Sequence, residues 1–178
     1  MINYEQLSAA QARQVLAELG DVLQACVTDG ASVGFTDPAD RAAIDSFWQG
    51  AVDSVASHEC DLLIARENDT VVATVMIDYC GKPNGRHRAE ICKLLVHPAA
   101  RQRGIARQLM KLAEQHAWDK GITLLVLDTR SGDVATQLYL SLGWQIAGEI
   151  PAYAESIEGR LDATTYMYKL ATRLTDIP

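Results

Sequence analysis

Arg101, Gln102, Arg103, Gly104 and Ala106 stand where an apolar run, Leu94-Leu95-Val96, stops at His97-Pro98 and an amphipathic segment begins near Gly104. The pattern is strand, turn and helix, and its chemistry is anion binding. The first backbone N–H groups of a helix have no partner within it and carry a partial positive charge outward. A phosphate seated there accepts them directly. Gly104 and Ala106 keep side-chain bulk away, while Arg101, Arg103 and Arg107 add charge and forked donors. The same residues also fit a surface helix with a basic first turn. Cations there oppose the helix dipole, however, so they require a compensating anion.

Charge is distributed to match. The chain of 178 residues carries −7. From Arg86 to Lys111 there are seven basic residues against one acid, Glu90, so this window is +6 and the rest is −13. A basic patch on an acidic protein suits a small polyanion and argues against nucleic acid as the main ligand. No apolar run approaches the length of a membrane span, and residues 1–20 lack signal-peptide architecture, so a cytoplasmic protein of one domain, residues 1–178, is expected. Cys26, Cys60, Cys80 and Cys92, and the four histidines, have no metal-ligand spacing. No metal is expected.

The surrounding elements alternate between strand and helix. Ile2 to Leu7 reads as a strand, and Ser8 with Gln11 as a capping box opening a helix that Gly20-Asp21 divides or kinks. Gly30 to Phe35 is a loop. Asp37-Pro38 reads as N-cap and first residue of a helix to about Ser57, with Trp48 on its core side. Asp61 to Glu67 and Thr70 to Tyr79 form a hairpin, Lys82 to Gly85 a turn, and Arg88 to Val96 the strand feeding the basic turn. After the helix from Gly104 to Asp119, Ile122 to Leu127 is an apolar strand. The strand–helix–strand connection makes it parallel to Arg88–Val96. Asp128 ends it, where α/β folds place functional groups. A short helix (Val134 to Leu142), a strand from Trp144, a loop from Pro151 to Asp162 and a last strand, Thr164 to Leu170, complete the chain.

Arg101-Gln102-Arg103-Gly104-Ile105-Ala106 resembles the R/Q-x-x-G-x-G/A signature of the GNAT superfamily of N-acetyltransferases, with alanine at the more usual second glycine. Leu138-Tyr139-Leu140-Ser141-Leu142-Gly143-Trp144 resembles that superfamily's tyrosine before a Gly-aromatic pair. The segments GASVGF, KPNG, RAE, KLLV, RQLM, LDT, GEIPAY and EGRL are similar to a branch that acetylates a β-lactam amino-acid toxin. The resemblance implies a mixed α/β fold, with a central mixed sheet of six to seven strands flanked by about four helices. It implies acetyl transfer from acetyl-CoA, as co-substrate, to a small-molecule amine, with toxin or antibiotic resistance as one outcome and a homodimer as a common assembly. A non-catalytic acyl-CoA-binding sensor and a protein or peptide N-acetyltransferase are the alternatives.

The resemblance also assigns residues. Backbone groups from Gln102 to Arg107, with Arg101, Arg103, Gly104, Ile105 and Ala106, would hold the pyrophosphate. Leu94, Leu95 and Val96 would pair with the pantetheine arm, and Thr129 would lie beside the cofactor. A bulge near Val96 would splay that strand from its parallel neighbour. Tyr139 matches the general acid. Glu90, fourteen residues before Gly104, is spaced like the base glutamate of the histone-acetylating branch, and Asp128 competes with it. Phe35, Asp37, Tyr79, Asn84, Glu149 and Tyr153 are candidates for the acceptor pocket.

Overall fold

The structure is a computed structural model, and residues 1–172 are described. A seven-stranded sheet in the order β1-β2-β3-β4-β5-β7-β6 forms its centre. Its strands are β1 (Ile2–Leu7), β2 (Cys60–Glu67), β3 (Thr70–Tyr79), β4 (Arg88–Val96), β5 (Leu124–Arg130), β6 (Gln145–Glu155) and β7 (Leu161–Leu170). The helices are α1 (Ala9–Gln14), α2 (Leu16–Thr28), α3 (Arg41–Ala56), α4 (Ile105–Asp119) and α5 (Val134–Ser141). Only β4 and β5 pair in parallel; every other neighbour is antiparallel. No helix among the described residues is long and apolar enough to cross a membrane.

The mixed α/β expectation holds, with seven strands and five α-helices rather than four. The first predicted helix is two because the chain breaks at Val15 (φ −117, ψ 18), not at Gly20, which is buried inside α2. Ser8 and Gln11 do form the capping box of α1. The cap of α3 is Asp40, whose carboxylate accepts from the Ala43 N–H at 3.0 Å. Asp37 instead accepts from the Ala39 N–H at 2.9 Å in the turn before it. The predicted loop 128–132 is largely strand, since β5 pairs with β7 as far as Arg130 opposite Thr164. The predicted loop 151–162 is mostly strand too. β6 and β7 form a long hairpin closed by a turn at 156–160, and the irregular register between Ile150 and Ala154 hid its alternation.

Side-chain alternation divides the core in two. Leu62, Ile64, Val71, Met76 and Leu95 face α1, α2 and α3, among them the fully buried Trp48. Leu63, Ala73, Val75, Ile77, Ala89, Ile91, Leu125 and Leu127 face α4 and α5. Helices α1–α3 pack on the β1–β4 half of their face. The same face of β5, β7 and β6 is left to form one wall of a trough.

Candidate acetyl-transfer site

β4 and β5 share three rungs, Arg88 with Leu124, Ala89 with Leu125 and Glu90 with Val126. Beyond Glu90 they part. The cause lies on the other side of β4: Met76 pairs with Cys92 and Thr74 with Leu95, leaving Lys93 and Leu94 without partners on β3. Lys93 takes a left-handed backbone (φ 50), and the Thr74 hydroxyl donates to its carbonyl at 2.8 Å. A bulge bends its strand and increases twist, so β4 swings away from β5. The bulge is therefore at Lys93–Leu94 rather than near Val96, which still pairs with Ala73.

Past the end of β4 the chain makes a short 3-10 turn, Pro98–Ala100, and enters α4 through Gln102 (φ 62) and Gly104 (φ 78), both left-handed. A cavity of about 200 Å³ opens here, lined by Val96, Ala100, Arg101, Gln102, Gly104, Ile105, Ala106, Arg107 and Leu138. No atom lies within 4 Å of where a side chain on Gly104 would begin. The helix start thus faces open space with its first amides free of intrahelical bonds, a setting that fits a pyrophosphate. Seven of the expected cofactor residues line the cavity. Leu94, Leu95, Arg103 and Thr129 do not. The Leu95 side chain is buried among α1–α3, and the Thr129 carbonyl accepts from the Thr164 hydroxyl at 3.0 Å.

The compensating anion for this basic turn is in part the protein's own. Arg103 makes a forked pair with Glu67 at 2.7 and 2.9 Å, and Arg101 pairs with Asp29. The Arg101 guanidinium also donates to the Val96 carbonyl at 3.2 Å, tying the turn back to β4. Arg107 donates to the Ser141 hydroxyl at 2.9 Å and so joins the first turn of α4 to the end of α5.

α5 brings Tyr139 to the parting of the strands. The residue is 7% exposed and packs at a tilt on Trp144, ring centres 6.1 Å apart. Its hydroxyl has no hydrogen-bond partner among the described residues. Burial, then the charge of Asp128, push it up to about 12. Asp128 is exposed on the opposite face of β5, and the Thr164 hydroxyl donates to its Oδ2 at 2.8 Å.

Glu90 lies on the trough face, directly across from Asp78 on β3. Its surface is open to solvent while protein crowds its carboxyl. That partial desolvation, then the charges of Asp128 and Asp78, raise it above its ordinary 4.5, against a lowering by Lys93. Tyr166, paired with Asp128 across β5 and β7, shares the face and hydrogen-bonds the Tyr153 hydroxyl at 2.8 Å. That bond, with burial and the charges of Asp128, Tyr153 and Glu90, raises Tyr166 to about 12.

Of the six expected acceptor residues, Tyr153 belongs to this trough and Phe35 borders it. Phe35 packs edge-on to Phe47, centroids 6.1 Å apart, and Phe47 lies under the Lys93 ammonium. Asp37 is committed to its turn. Asn84 is exposed in the turn between β3 and β4, at the end of the sheet away from the cavity. Glu149 pairs with Thr165, one step out of phase with Asp128 and Tyr166, and so shares the other face. Tyr79 also points to the other face, donating to Asp61 at 2.5 Å. Tyr166, Asp78, Lys93 and Leu138 were missed. Alternation along Thr164, Tyr166 and Tyr168 puts these three on one face, but nothing local shows which face meets Asp128. Among the described residues no group of His, Cys, Asp or Glu is placed to hold a metal.

Similar proteins point the same way. YncΑ of Salmonella typhimurium, determined with its cofactor acetyl-CoA, superposes with a TM-score of 0.77 at 19% identity, covering 96% of this chain and 94% of that one. The ribosomal-protein-alanine N-acetyltransferase of Brucella melitensis gives 0.77 at 19% identity, over 95% of this chain and 99% of that one. At such identity these show the fold alone. N-acetyltransferase 8B of Rattus norvegicus is 34% identical over 88 residues, which are 48% of this chain and 40% of that protein. The model of the acetyltransferase (GNAT) family matches residues 21–144. That match spans more than half of the chain and takes in the bulged β4, the open helix start and Tyr139: the chain belongs to the acetyltransferase (GNAT) family.

Proposed function

We propose that the chain is an acetyl-CoA-dependent N-acetyltransferase acting on the amine of a small molecule, and that residues 1–178 form one catalytic domain in the cytoplasm. One observation carries this reading. The parting of β4 from β5 gathers an open helix start, two carboxylates and a buried phenol without a hydrogen-bond partner.

Acetyl-CoA brings an activated thioester. Amides from Gln102 to Arg107 receive its pyrophosphate, and β4 from Leu94 to Val96 aligns its pantetheine arm. Glu90, its carboxyl raised above the ordinary value by partial burial and by the charges of Asp128 and Asp78, takes the proton from the acceptor's ammonium. Asp128, oriented by Thr164, holds the same amine. The freed amine would attack the thioester carbonyl, backbone amides beside the bulge would stabilise the resulting oxyanion, and its collapse would form the amide and break the C–S bond. Tyr139, kept protonated by its raised pKa, gives its proton to the departing thiolate.

The finer reading, acetylation of an amino-acid-like toxin or antibiotic as by the tabtoxin resistance protein, rests on the similarity of the loop segments. Homodimerisation is supported by β6, an exposed edge strand with Ile146 and Ile150 open to solvent. Sedimentation equilibrium tests that assembly.

The activity is tested by following free thiol from acetyl-CoA with a panel of small amines, including tabtoxinine-like amino acids. Amine-dependent thiol release with acetylated product supports it. Tight acetyl-CoA binding by calorimetry without release on any amine points instead to a sensor. Acetylation of a histone-like peptide alone points to a protein acetyltransferase.

A further inference from the structure

Lys93 stands in the trough near Glu90 and has no part in the transfer chemistry above. Its left-handed backbone (φ 50) is one that glycine or asparagine adopts more readily than lysine. An unfavourable conformation held at a site is a reason to ask what the side chain does. The Lys93 side chain is half-buried, with Nζ 4.8 Å from the centre of the Phe47 ring. No carboxylate lies within ion-pair distance of it among the described residues. Phe47 is itself fixed by edge contacts to Phe35 and Trp48, at 6.1 and 5.1 Å between centroids.

Of the other cations on this face, Arg130 is tied into an ion pair and Arg88 stands at the start of β4, the end away from the bulge. Arg130 pairs with Asp133 at 3.0 Å and donates to the Gly30 carbonyl at 3.0 Å. Arg88 folds back over Gly85, its Nη1 only 2.7 Å from where a Gly85 side chain would start. The trough therefore has one positive wall, Lys93 on its aromatic support, and one negative wall, Glu90 with Asp128. Lys93 is near enough to Glu90 to oppose the raising of its carboxyl. A ligand that satisfies both walls carries an ammonium and a carboxylate together.

We infer that Lys93 determines acceptor specificity by pairing its ammonium with the carboxylate of an amino-acid acceptor, whose amine is held at Glu90 and Asp128. The inference rests on the acetyltransferase reading above and narrows its substrate class to amino acids.

The test uses the full chain loaded with CoA and calorimetry on matched probes: L-serine against ethanolamine, L-lysine against cadaverine, and L-phenylalanine against phenethylamine. In the best-bound pair the wild type should prefer the carboxylate-bearing member by about tenfold or more, the scale of one charged hydrogen bond. Lys93→Asn removes the charge and suits the backbone, and should lower that preference about tenfold. Lys93→Arg keeps the charge and should hold the preference within about threefold. Absence of a preference in the wild type, or a preference that survives Lys93→Asn, overturns the inference. Thiol release measured on the same proteins separates the two readings. Turnover with a preference indifferent to Lys93 sinks the inference and leaves the activity standing. A Lys93-dependent binding preference with no turnover on any amine sinks the activity and leaves the binding role.

Discussion

Glu90 faces Val126 at the last rung that β4 and β5 share. Everything the site needs follows from that position. One step below, the strands are joined and the trough has a floor. One step above, they part, and the trough opens toward the cavity at the start of α4. Asp128, two residues beyond Val126, stands on the same face across the opening. The bulge at Lys93 thus does two things at once. It makes the gap, and it sets the carboxylates of neighbouring strands on either side of it.

Glu90→Gln should lower kcat/KM by about 10²–10⁴-fold, the usual contribution of a general base. The wild-type rate should rise with pH as Glu90 loses its proton, above the ordinary 4.5, and the variant should lack that limb. Stability has the opposite sign. A carboxyl whose folded pKa is raised favours the folded state below its unfolded value, and that preference is lost as pH rises through the folded one. Melting temperatures of wild type and Glu90→Gln should coincide at low pH and separate in favour of the variant toward neutrality. A rate limb that survives in the variant would remove Glu90 as the base.

Tyr139→Phe should lower kcat by about 10²-fold or more while leaving melting temperature unchanged. The reason is that the hydroxyl, on a residue 7% exposed, makes no hydrogen bond with another group among the described residues. Removing it takes away no interaction and leaves no partner unpaired. A variant that melts early would show that the hydroxyl has a structural partner instead.

The sequence carried the proposed cofactor half of this site more clearly than the proposed acceptor half, for a local reason. Arg101 to Arg107 is contiguous, and its strand, turn and helix are each marked by residue type. The acceptor half is assembled from β4, β5, β6, β7 and α3, so it depends on register. Asp128 and Tyr166 are 38 positions apart and meet only because β5 and β7 pair as they do. Tyr79 and Glu149 were drawn to the acceptor by loop similarity, but strand alternation carries both to the other face. The bulge was expected from the family resemblance, yet its place at Lys93 depends on the match between Thr74 and Met76 on one strand and Cys92 and Leu95 on the other. The strand from Trp144 continues through the expected loop as β6, which its register shifts between Ile146 and Gly148 and between Ile150 and Ala154 hid by interrupting the alternation.

Gly104→Ala should both destabilise the protein and weaken acetyl-CoA. A side chain in the left-handed region costs about 1–2 kcal/mol, and Gly104 has φ 78. The added methyl would also project into the open cavity at the helix start. Gly121, at the far end of α4, has φ 85 and equally open surroundings, so Gly121→Ala carries the backbone cost alone. Calorimetry with acetyl-CoA should therefore distinguish two variants of similar stability. Equal affinities would mean that the cofactor does not approach Gly104.

Tyr79→Phe should affect stability and leave the acceptor KM unchanged. The Tyr79 hydroxyl donates to Asp61 Oδ2, which also binds His116 at 2.8 Å and Lys120 at 2.6 Å, while Gln6 donates to Oδ1 at 3.2 Å. This knot joins β1, β2, β3 and the end of α4 on the face away from the trough. Burial alone would raise the Asp61 carboxyl, but the hydrogen bonds from Lys120, Tyr79 and His116 outweigh it and hold it below its ordinary 3.8. A depressed folded pKa gives stability that is present above the unfolded value and lost as pH falls through the folded one. Removing one donor should cost about 0.5–1.5 kcal/mol, visible in urea unfolding at neutral pH and shrinking in acid as the carboxylate protonates. A rise in acceptor KM without loss of stability would return Tyr79 to the acceptor pocket, and the sheet faces would then have to be reassigned.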